Sequence, residues 1–291
     1  TVDRLDFSSE TVAATTGVPE IIAAGTDFSV KEYGYIGGNG PGSKSTIYRF
    51  EFSSETFSAP GAILSSVRGY GSGVRDSGRI KPNSLKGTDV DGVPISSTYG
   101  YFAGGFASPY GCTIDRLDFS NETVSEPSGY LTQARNGLAA VSNFNYGYFA
   151  GGNAPPTVCT IDRLDFTNET VSEPSSELTQ TRNGLAAVSN SNYGYFGGGS
   201  VPSTVCTIDR LDFSNETVSE PSSELTQKRY VLTAVSNSNY GYFAGGSAPS
   251  NVCTIDRLDF SSETVTAPSS NLTEARAFLA AVSNSNYGYF A

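Results

Sequence analysis

The chain has 291 residues, carries 29 acidic against 18 basic residues, and contains no His, Met or Trp. Its net charge of −11 opposes binding to nucleic acid, whose phosphate backbone requires clustered Lys and Arg. No apolar run approaches the roughly 18 residues that a membrane-spanning helix needs, so we expect no membrane insertion. Because His is the commonest general base and metal ligand, its absence disfavours an enzyme, and we predict neither a metal nor another cofactor.

The first predicted elements are two short strands in residues 1–13, on either side of a Ser-Ser-Glu turn. The same Arg-bearing strand returns at Arg49 and then at Arg116, a spacing of 67 residues where later copies are 47 apart. About 20 residues are therefore inserted, at about 75–98, and we predict a partner-docking loop there, with a solvated loop as the alternative. The basic residues of this predicted docking loop are Arg75, Arg79, Lys81 and Lys86.

A 47-residue repeat is clearest from Cys112 onward. Its first copy predicts a strand over 113–119, a turn, and a strand over 123–125; strands over 135–142 and 146–151 then begin the next unit. Four-stranded units of this length are typical of propeller blades. Two short sequence features each occur six times and so indicate six repeat units. The Arg marker stands at Arg4, Arg49, Arg116, Arg163, Arg210 and Arg257, and the Tyr-Gly-Tyr marker begins at Tyr33, Tyr99, Tyr146, Tyr193, Tyr240 and Tyr287.

The two ends of the chain are predicted to share one unit. Residues 1–13 supply only the third and fourth strands of a blade, and residues 276–291 supply only the first and second. The sequence therefore predicts an all-β fold with a single domain over 1–291. We expect a six-bladed β-propeller with four antiparallel strands per blade, closed by pairing of the two ends. Because the last copy stops before its Gly-Gly, we also expect the chain to be part of a longer protein.

Charged residues recur at fixed places in the repeat. We predict that each third-strand Arg is paired with the Asp residues beside it, as Arg116 would be with Asp115 and Asp118. A Glu in every third-to-fourth-strand turn predicts an acidic rim on one face, most simply a solvated one. Those six Glu residues are Glu10, Glu55, Glu122, Glu169, Glu216 and Glu263. The cysteines also occupy one repeat position, which favours free thiols over disulfides.

Aromatic residues that occur in single blades are the candidate ligand-binding residues. They fall in loops of the opposite face or just inside the adjoining strands, where a rigid frame presents variable residues. Exposed aromatic rings suit sugar or protein recognition, because a flat apolar face is combined with a polar edge. The candidates are Tyr70, Phe106, Tyr110, Tyr130 and Tyr230.

The repeat resembles kelch repeats over nearly the whole chain. The resemblance is carried by the di-glycine after an aromatic strand (Gly104-Gly105, Gly151-Gly152), by the Arg that opens the inner strand (Arg135, Arg182) and by the Asp-bearing third strand. It departs from kelch in lacking the usual Trp. The phrasing DRLDFSNET followed by YGYFAGG is also similar to repeats in virion or tail-associated proteins of cyanobacterial phages.

This resemblance and the single-blade aromatics favour a non-catalytic recognition module that binds a host-surface glycan or protein, and the resemblance implies an association with phage. The alternative is a structural propeller that docks onto other virion proteins or a larger surface assembly. A glycoside-processing enzyme is a weaker alternative, because the repeated Asp residues are explained by structure. An extracellular or virion-associated location is expected.

Overall fold

A computed structural model describes residues 2–15, 26–30, 32–38, 44–75, 99–106, 110–200 and 202–291. These residues form six antiparallel sheets, so the predicted six-bladed β-propeller is confirmed. Within the described ranges no helix is long and apolar enough to cross a membrane.

The strands, in chain order, are β1 (Val2–Asp6), β2 (Thr11–Thr15), β3 (Thr26–Ser29), β4 (Tyr33–Gly37), β5 (Lys44–Glu51), β6 (Thr56–Ser58), β7 (Ile63–Arg68), β8 (Ser72–Arg75), β9 (Tyr99–Ala103), β10 (Ile114–Asp118), β11 (Thr123–Ser125), β12 (Ala139–Ser142) and β13 (Tyr146–Ala150). They continue with β14 (Ile161–Asp165), β15 (Val171–Ser172), β16 (Ala186–Ser189), β17 (Tyr193–Gly197), β18 (Ile208–Asp212), β19 (Val218–Ser219), β20 (Thr233–Ser236), β21 (Tyr240–Ala244), β22 (Ile255–Asp259), β23 (Val265–Thr266), β24 (Ala281–Ser283) and β25 (Tyr287–Phe290).

Each blade runs from an inner strand at the axis to an outer strand at the circumference. Blade three has the order β12-β13-β14-β15, and blades four and five repeat it with β16–β19 and β20–β23. Blade one holds β3–β6, and blade two holds β8–β11. The inner strands β3, β8, β12, β16, β20 and β24 contact one another in a ring, which leaves a channel along the axis.

Blade six joins the two ends of the chain, as predicted. Its strand order is β2-β1-β25-β24, so β1 is hydrogen-bonded to β25. Asp3 lies opposite Phe290, and Leu5 lies opposite Gly288. The closure gives every blade two neighbours, which removes the open sheet edge at the seam.

Two details differ from the predicted strands. The inner strand of blade three was predicted over 135–142 but begins at Ala139, because the Arg135 amide donates to Gly111 outside the sheet. Blade one contains a fifth strand, since β7 pairs with the first part of β5 while β6 pairs with its end.

The hydrophobic core lies between neighbouring blades. In one interface Val141 and Tyr148 of blade three pack with Phe196 and Leu211 of blade four. In five of the six blades the Gly of the Tyr-Gly-Tyr marker allows this approach: a Cβ added to Gly194, for example, would lie 2.6 Å from Val141 Cγ2. The marker is therefore a packing signature, and its Gly sets how closely the blades meet.

Candidate functional site

In blades three, four and five a buried ion pair links the inner-strand Arg of the repeat, which lies just before the inner strand, to a third-strand Asp of the same blade. The Arg182 Nη2 donates to Asp209 Oδ2 at 2.6 Å, and both side chains are 0% exposed. The same guanidinium donates to the Phe196, Gly198 and Thr207 carbonyls, while Thr179 donates to Asp209 through its amide and hydroxyl. Burial lowers the pKa of Arg182, and Asp209 opposes that shift. Equivalent pairs join Arg135 to Asp162 and Arg229 to Asp256, and in blade six Arg276, whose side chain is 18% exposed, pairs with Asp3.

The third-strand Arg residues do not pair with their neighbouring Asp residues, so that prediction was wrong. Arg210 instead reaches Glu263 in the turn of the next blade, with Nη1 to Oε1 and Oε2 at 2.9 and 3.0 Å. Tyr195 donates its hydroxyl to the same Glu, and Tyr193 lies under the guanidinium at 4.9 Å. The hydrogen bond to Glu263 raises the pKa of Arg210, while burial opposes it. This arrangement, which we call the outer clamp, recurs as Arg4–Glu55, Arg49–Glu122, Arg116–Glu169, Arg163–Glu216 and Arg257–Glu10.

The predicted acidic rim is therefore a ring of inter-blade ion pairs. All six turn Glu residues have positive φ, between 53° and 59°, a backbone region that L-residues seldom adopt. The neighbouring Asp closes the turn instead: Asp212 Oδ1 accepts from the Ser214 amide at 2.8 Å and from its hydroxyl at 2.6 Å. The turn Glu residues are thus occupied in contacts between blades and do not form a free acidic surface.

Among the described residues, a series of backbone hydrogen bonds runs around one end of the channel through five of the six blades. The Gly137, Gly184, Val231 and Phe278 amides each donate to the carbonyl of the equivalent residue one blade back, at 2.6–2.9 Å; the series begins at the Tyr70 carbonyl. We call these five residues the collar and this end of the ring the collar face. All five have positive φ, from 49° to 65°. A positive φ explains the Gly residues at two collar positions, Gly137 and Gly184. It is unusual for the other three residues, Tyr70, Val231 and Phe278.

Tyr70, Val231 and Phe278 place side chains where the backbone favours Gly. Such a conformation costs of order 1–3 kcal/mol for a non-Gly residue, and it is a genuine outlier for a β-branched one. The Tyr70 and Phe278 rings meet edge to face, with centroids 5.5 Å apart, and Phe278 is 39% exposed. These side chains line a cavity of about 260 Å³ at the collar face, together with Tyr230 and Asn136.

The structure brings two of the five predicted ligand-binding residues, Tyr70 and Tyr230, into the collar cavity. Phe106 and Tyr110 form a second aromatic pair, with ring centroids 5.8 Å apart. This pair lies outward of Tyr70, because Gly69 forms a β-bridge with Phe106 and Phe106 forms one with Tyr110. The predicted residues thus extend outward from the channel mouth in blade two.

Tyr130 is exposed but does not line the collar cavity. Its neighbour Gly129 lies against Val171 of the outer strand β15. The basic residues of the predicted docking loop also separate: Arg75 ends β8 and lines the channel at the opposite end, whereas Arg79, Lys81 and Lys86 lie outside the described residues.

Sequence reasoning missed Phe278 and Val231. The signal was available, because aligning the inner-strand Arg residues places Phe278 and Val231 at the position of Gly137 and Gly184. An aromatic or β-branched residue at a position that other repeats give to Gly indicates a backbone under strain.

The four cysteines are free thiols and partly buried, so the prediction against disulfides is confirmed. The Cys159 thiol donates to Glu177 at 3.1 Å, and burial raises its pKa. Within the described part of the chain no group of three or more His, Cys, Asp or Glu side chains could hold a metal ion.

No protein-family model matches the chain, and no curated protein is significantly similar to it in sequence. The function must therefore be inferred from the structure, which is a six-bladed β-propeller with an aromatic cavity at one end of its channel.

Proposed function

We propose that the chain is a non-catalytic recognition module that binds a surface glycan through the collar cavity. The observation that carries the proposal is the left-handed backbone of Tyr70, Val231 and Phe278. Residual strain of this kind concentrates at functional sites, and here it positions bulky side chains at a solvent-accessible cavity.

The cavity has the chemistry of a small sugar site. The Tyr70 and Phe278 rings offer apolar surface for the C–H face of a sugar ring, and the Tyr hydroxyls and Asn136 offer polar groups at its edge. Phe106 and Tyr110 lie farther out in the same blade, so a longer glycan could continue across them. The resemblance of the repeat to kelch repeats and to phage virion proteins supports a host-surface glycan as the ligand.

Catalysis is not part of the proposal. The chain has no His, and the inner-facing Asp residues of the third strands are occupied in buried pairs, as Asp209 is with Arg182 and Thr179. A carboxylate held in this way is not available to a substrate as a general acid or nucleophile.

A glycan array tests the proposal. Wild-type protein is expected to bind a subset of glycans, and Tyr70→Ala and Phe278→Ala to reduce that binding at least about tenfold, since each ring contributes about 1.5–3 kcal/mol of contact. Phe144→Ala is the matched control, because Phe144 is an exposed aromatic residue at the opposite end of the channel. Glycan binding that is unaffected by both collar substitutions would contradict the proposal.

The alternative, a structural propeller that docks onto a larger virion or surface assembly, is favoured by β7. Its side chains Ile63 and Val67 are 61% and 50% exposed, four residues apart and therefore on one side of the strand. This function predicts a silent glycan array, and it predicts that Ile63→Ser with Val67→Ser prevents co-purification with the assembly. Tyr130→Ala is a further variant for both assays. If it reduces glycan binding or co-purification, the binding surface in question extends to Tyr130 at the circumference of the ring.

A further inference from the structure

The channel widens at the end opposite the collar, which we call the turn face because it carries the first-to-second-strand turns. The cavity there has a volume of about 720 Å³. Its wall is built mainly from neutral, repeated residues. The serine hydroxyls link neighbouring blades, with Ser283 donating to the Ser236 carbonyl at 3.3 Å and Ser29 accepting from the Ser283 amide at 2.8 Å.

Among the described residues of this wall, two charged side chains of opposite sign interrupt the neutral lining, Asp27 of β3 and Arg75 of β8. They come from adjacent inner strands, because β3 contacts β8. Arg75 lies opposite Gly100, at the level of the serine ring, whereas Asp27 lies opposite Ile36, two residues deeper. Two residues of strand span about 7 Å, so the negative charge lies deeper in the channel than the positive one.

Asp27 occupies a position that holds small apolar residues in other blades, Ala140, Ala187 and Ala234. It also lines the narrow part of the channel below the main cavity. Among the described residues its contact is a hydrogen bond from the Ala281 amide at 2.9 Å, and no ion pair joins it to Arg75. Burial raises the pKa of Asp27 to about 7, although the Ala281 hydrogen bond opposes the shift.

Asp27 differs from the third-strand Asp residues in its contacts. Asp3, Asp162, Asp209 and Asp256 each have a cationic partner within the fold. Burial without a cationic partner disfavours the charged form of the Asp27 carboxyl. A ligand that places a cation beside Asp27 would stabilise that charged form.

We propose that the turn-face cavity binds a small zwitterion, with its ammonium group at Asp27 and its carboxylate at Arg75. The guanidinium has five N–H donors, so it can keep an existing partner and still donate to a ligand carboxylate. The serine hydroxyls and the asparagine-containing turns at the rim supply neutral hydrogen-bonding groups around the ligand. The separation of the two charges selects a ligand whose charged ends are several bonds apart.

Isothermal titration calorimetry with ω-amino acids tests the site. At pH 8 we expect an affinity maximum within the series from 3-aminopropanoate to 6-aminohexanoate, because chain length must match the separation of the charges. Hexylamine and hexanoate carry one charge each and are expected to bind at least about tenfold more weakly. Asp27→Asn and Arg75→Gln are each expected to reduce the affinity of the best ligand by a similar factor.

The pH dependence separates binding at Asp27 from non-specific binding. The ligand charges and Arg75 stay constant between pH 5.5 and 8, whereas Asp27 must be ionised to receive the ammonium group. Affinity should therefore rise with pH through about 7 in the wild type and be flat in Asp27→Asn. Phe278→Ala, at the other end of the channel, should leave this binding unchanged. Absence of binding across the series, or binding that both charge substitutions leave intact, would overturn the proposal.

Discussion

The residues that repeat in every blade and the residues that change from blade to blade occupy different parts of the ring. The repeated Arg and Asp residues of the buried pairs hold each blade together, and the repeated Arg and Glu residues of the outer clamps join neighbouring blades. Several of the exceptions, among them Tyr70, Phe278 and Asp27, face the channel, whereas Phe106, Tyr110 and Tyr130 lie farther out. The repeated residues thus stabilise the ring, whereas residues at the axis can differ from blade to blade, and substitutions in each class can test that division.

The largest effect is expected from breaking a buried pair. Arg182→Ala leaves Asp209 charged and without its cation in a fully buried site, and it removes donors from three backbone carbonyls. Loss of one member of a buried ion pair costs about 3–5 kcal/mol. We therefore expect Arg182→Ala to lower the free energy of unfolding by that amount in urea denaturation.

Arg210→Ala is the matched control for this prediction. Arg210 belongs to an outer clamp and is 30% exposed, and its partner Glu263 is 24% exposed, so both can be solvated after the substitution. A loss of about 1 kcal/mol is expected. Equal losses for the two Arg residues would show that burial does not distinguish the two kinds of pair.

The same division explains which features the sequence predicts. The ring, its six blades and its closure follow from the periods of two markers, which need no knowledge of distant contacts. The partner of Arg116 could not be predicted in this way. Adjacent strand residues point to opposite faces, so Asp115 cannot reach the face of Arg116, and the true partner Glu169 lies 53 residues along the chain.

The collar could not be predicted from the repeat pattern either. Its hydrogen bonds join residues one repeat apart, as the Gly184 amide donates to the Gly137 carbonyl, and every member has a positive φ. Tyr70 and Tyr230 were predicted because they are aromatic and unrepeated. Val231 was missed because an aliphatic residue in an inner segment is ordinarily interpreted as core.

The next largest effect on stability is expected at Asp27, which differs from the equivalent residues of other blades. Here the substitution is expected to raise the free energy of unfolding. The pKa of Asp27 is about 7 in the fold and near 3.8 when unfolded, so the folded state binds the proton more tightly and stability decreases as pH rises from about 4 to 7. Asp27→Asn removes this titration. We expect the variant to be more stable than wild type by roughly 1–3 kcal/mol at pH 8, after allowance for channel water, and similar at pH 4.

Thermal denaturation of both proteins between pH 4 and 8 measures this difference. Ser29→Ala is a suitable control, since Ser29 lines the same cavity and does not titrate. A stability difference that is independent of pH would contradict the assignment of a raised pKa to Asp27.

A smaller effect is expected from the turn Glu residues, where two contributions oppose each other. Glu263→Gln keeps the left-handed backbone but weakens the bonds to Arg210 and Tyr195, so we expect a loss of about 1 kcal/mol. Glu263→Gly loses the same bonds and relieves the backbone strain, which should recover part of that loss. Denaturation midpoints that rank Gly below Gln would show that the strain is negligible.

The smallest effect on stability is expected at the collar, where it is also the most informative about function. Phe278→Gly relieves a positive φ, worth about 1 kcal/mol, and loses an edge-to-face contact with Tyr70 of about 0.5–1.5 kcal/mol. The net change should lie within about 1 kcal/mol of zero, whereas glycan binding should be lost. Val231→Gly shares the strain relief without an aromatic loss and should be the more stable variant. If Phe278→Gly instead unfolded the ring, the side chain would be a structural residue of the collar, and its strain would no longer indicate a binding site.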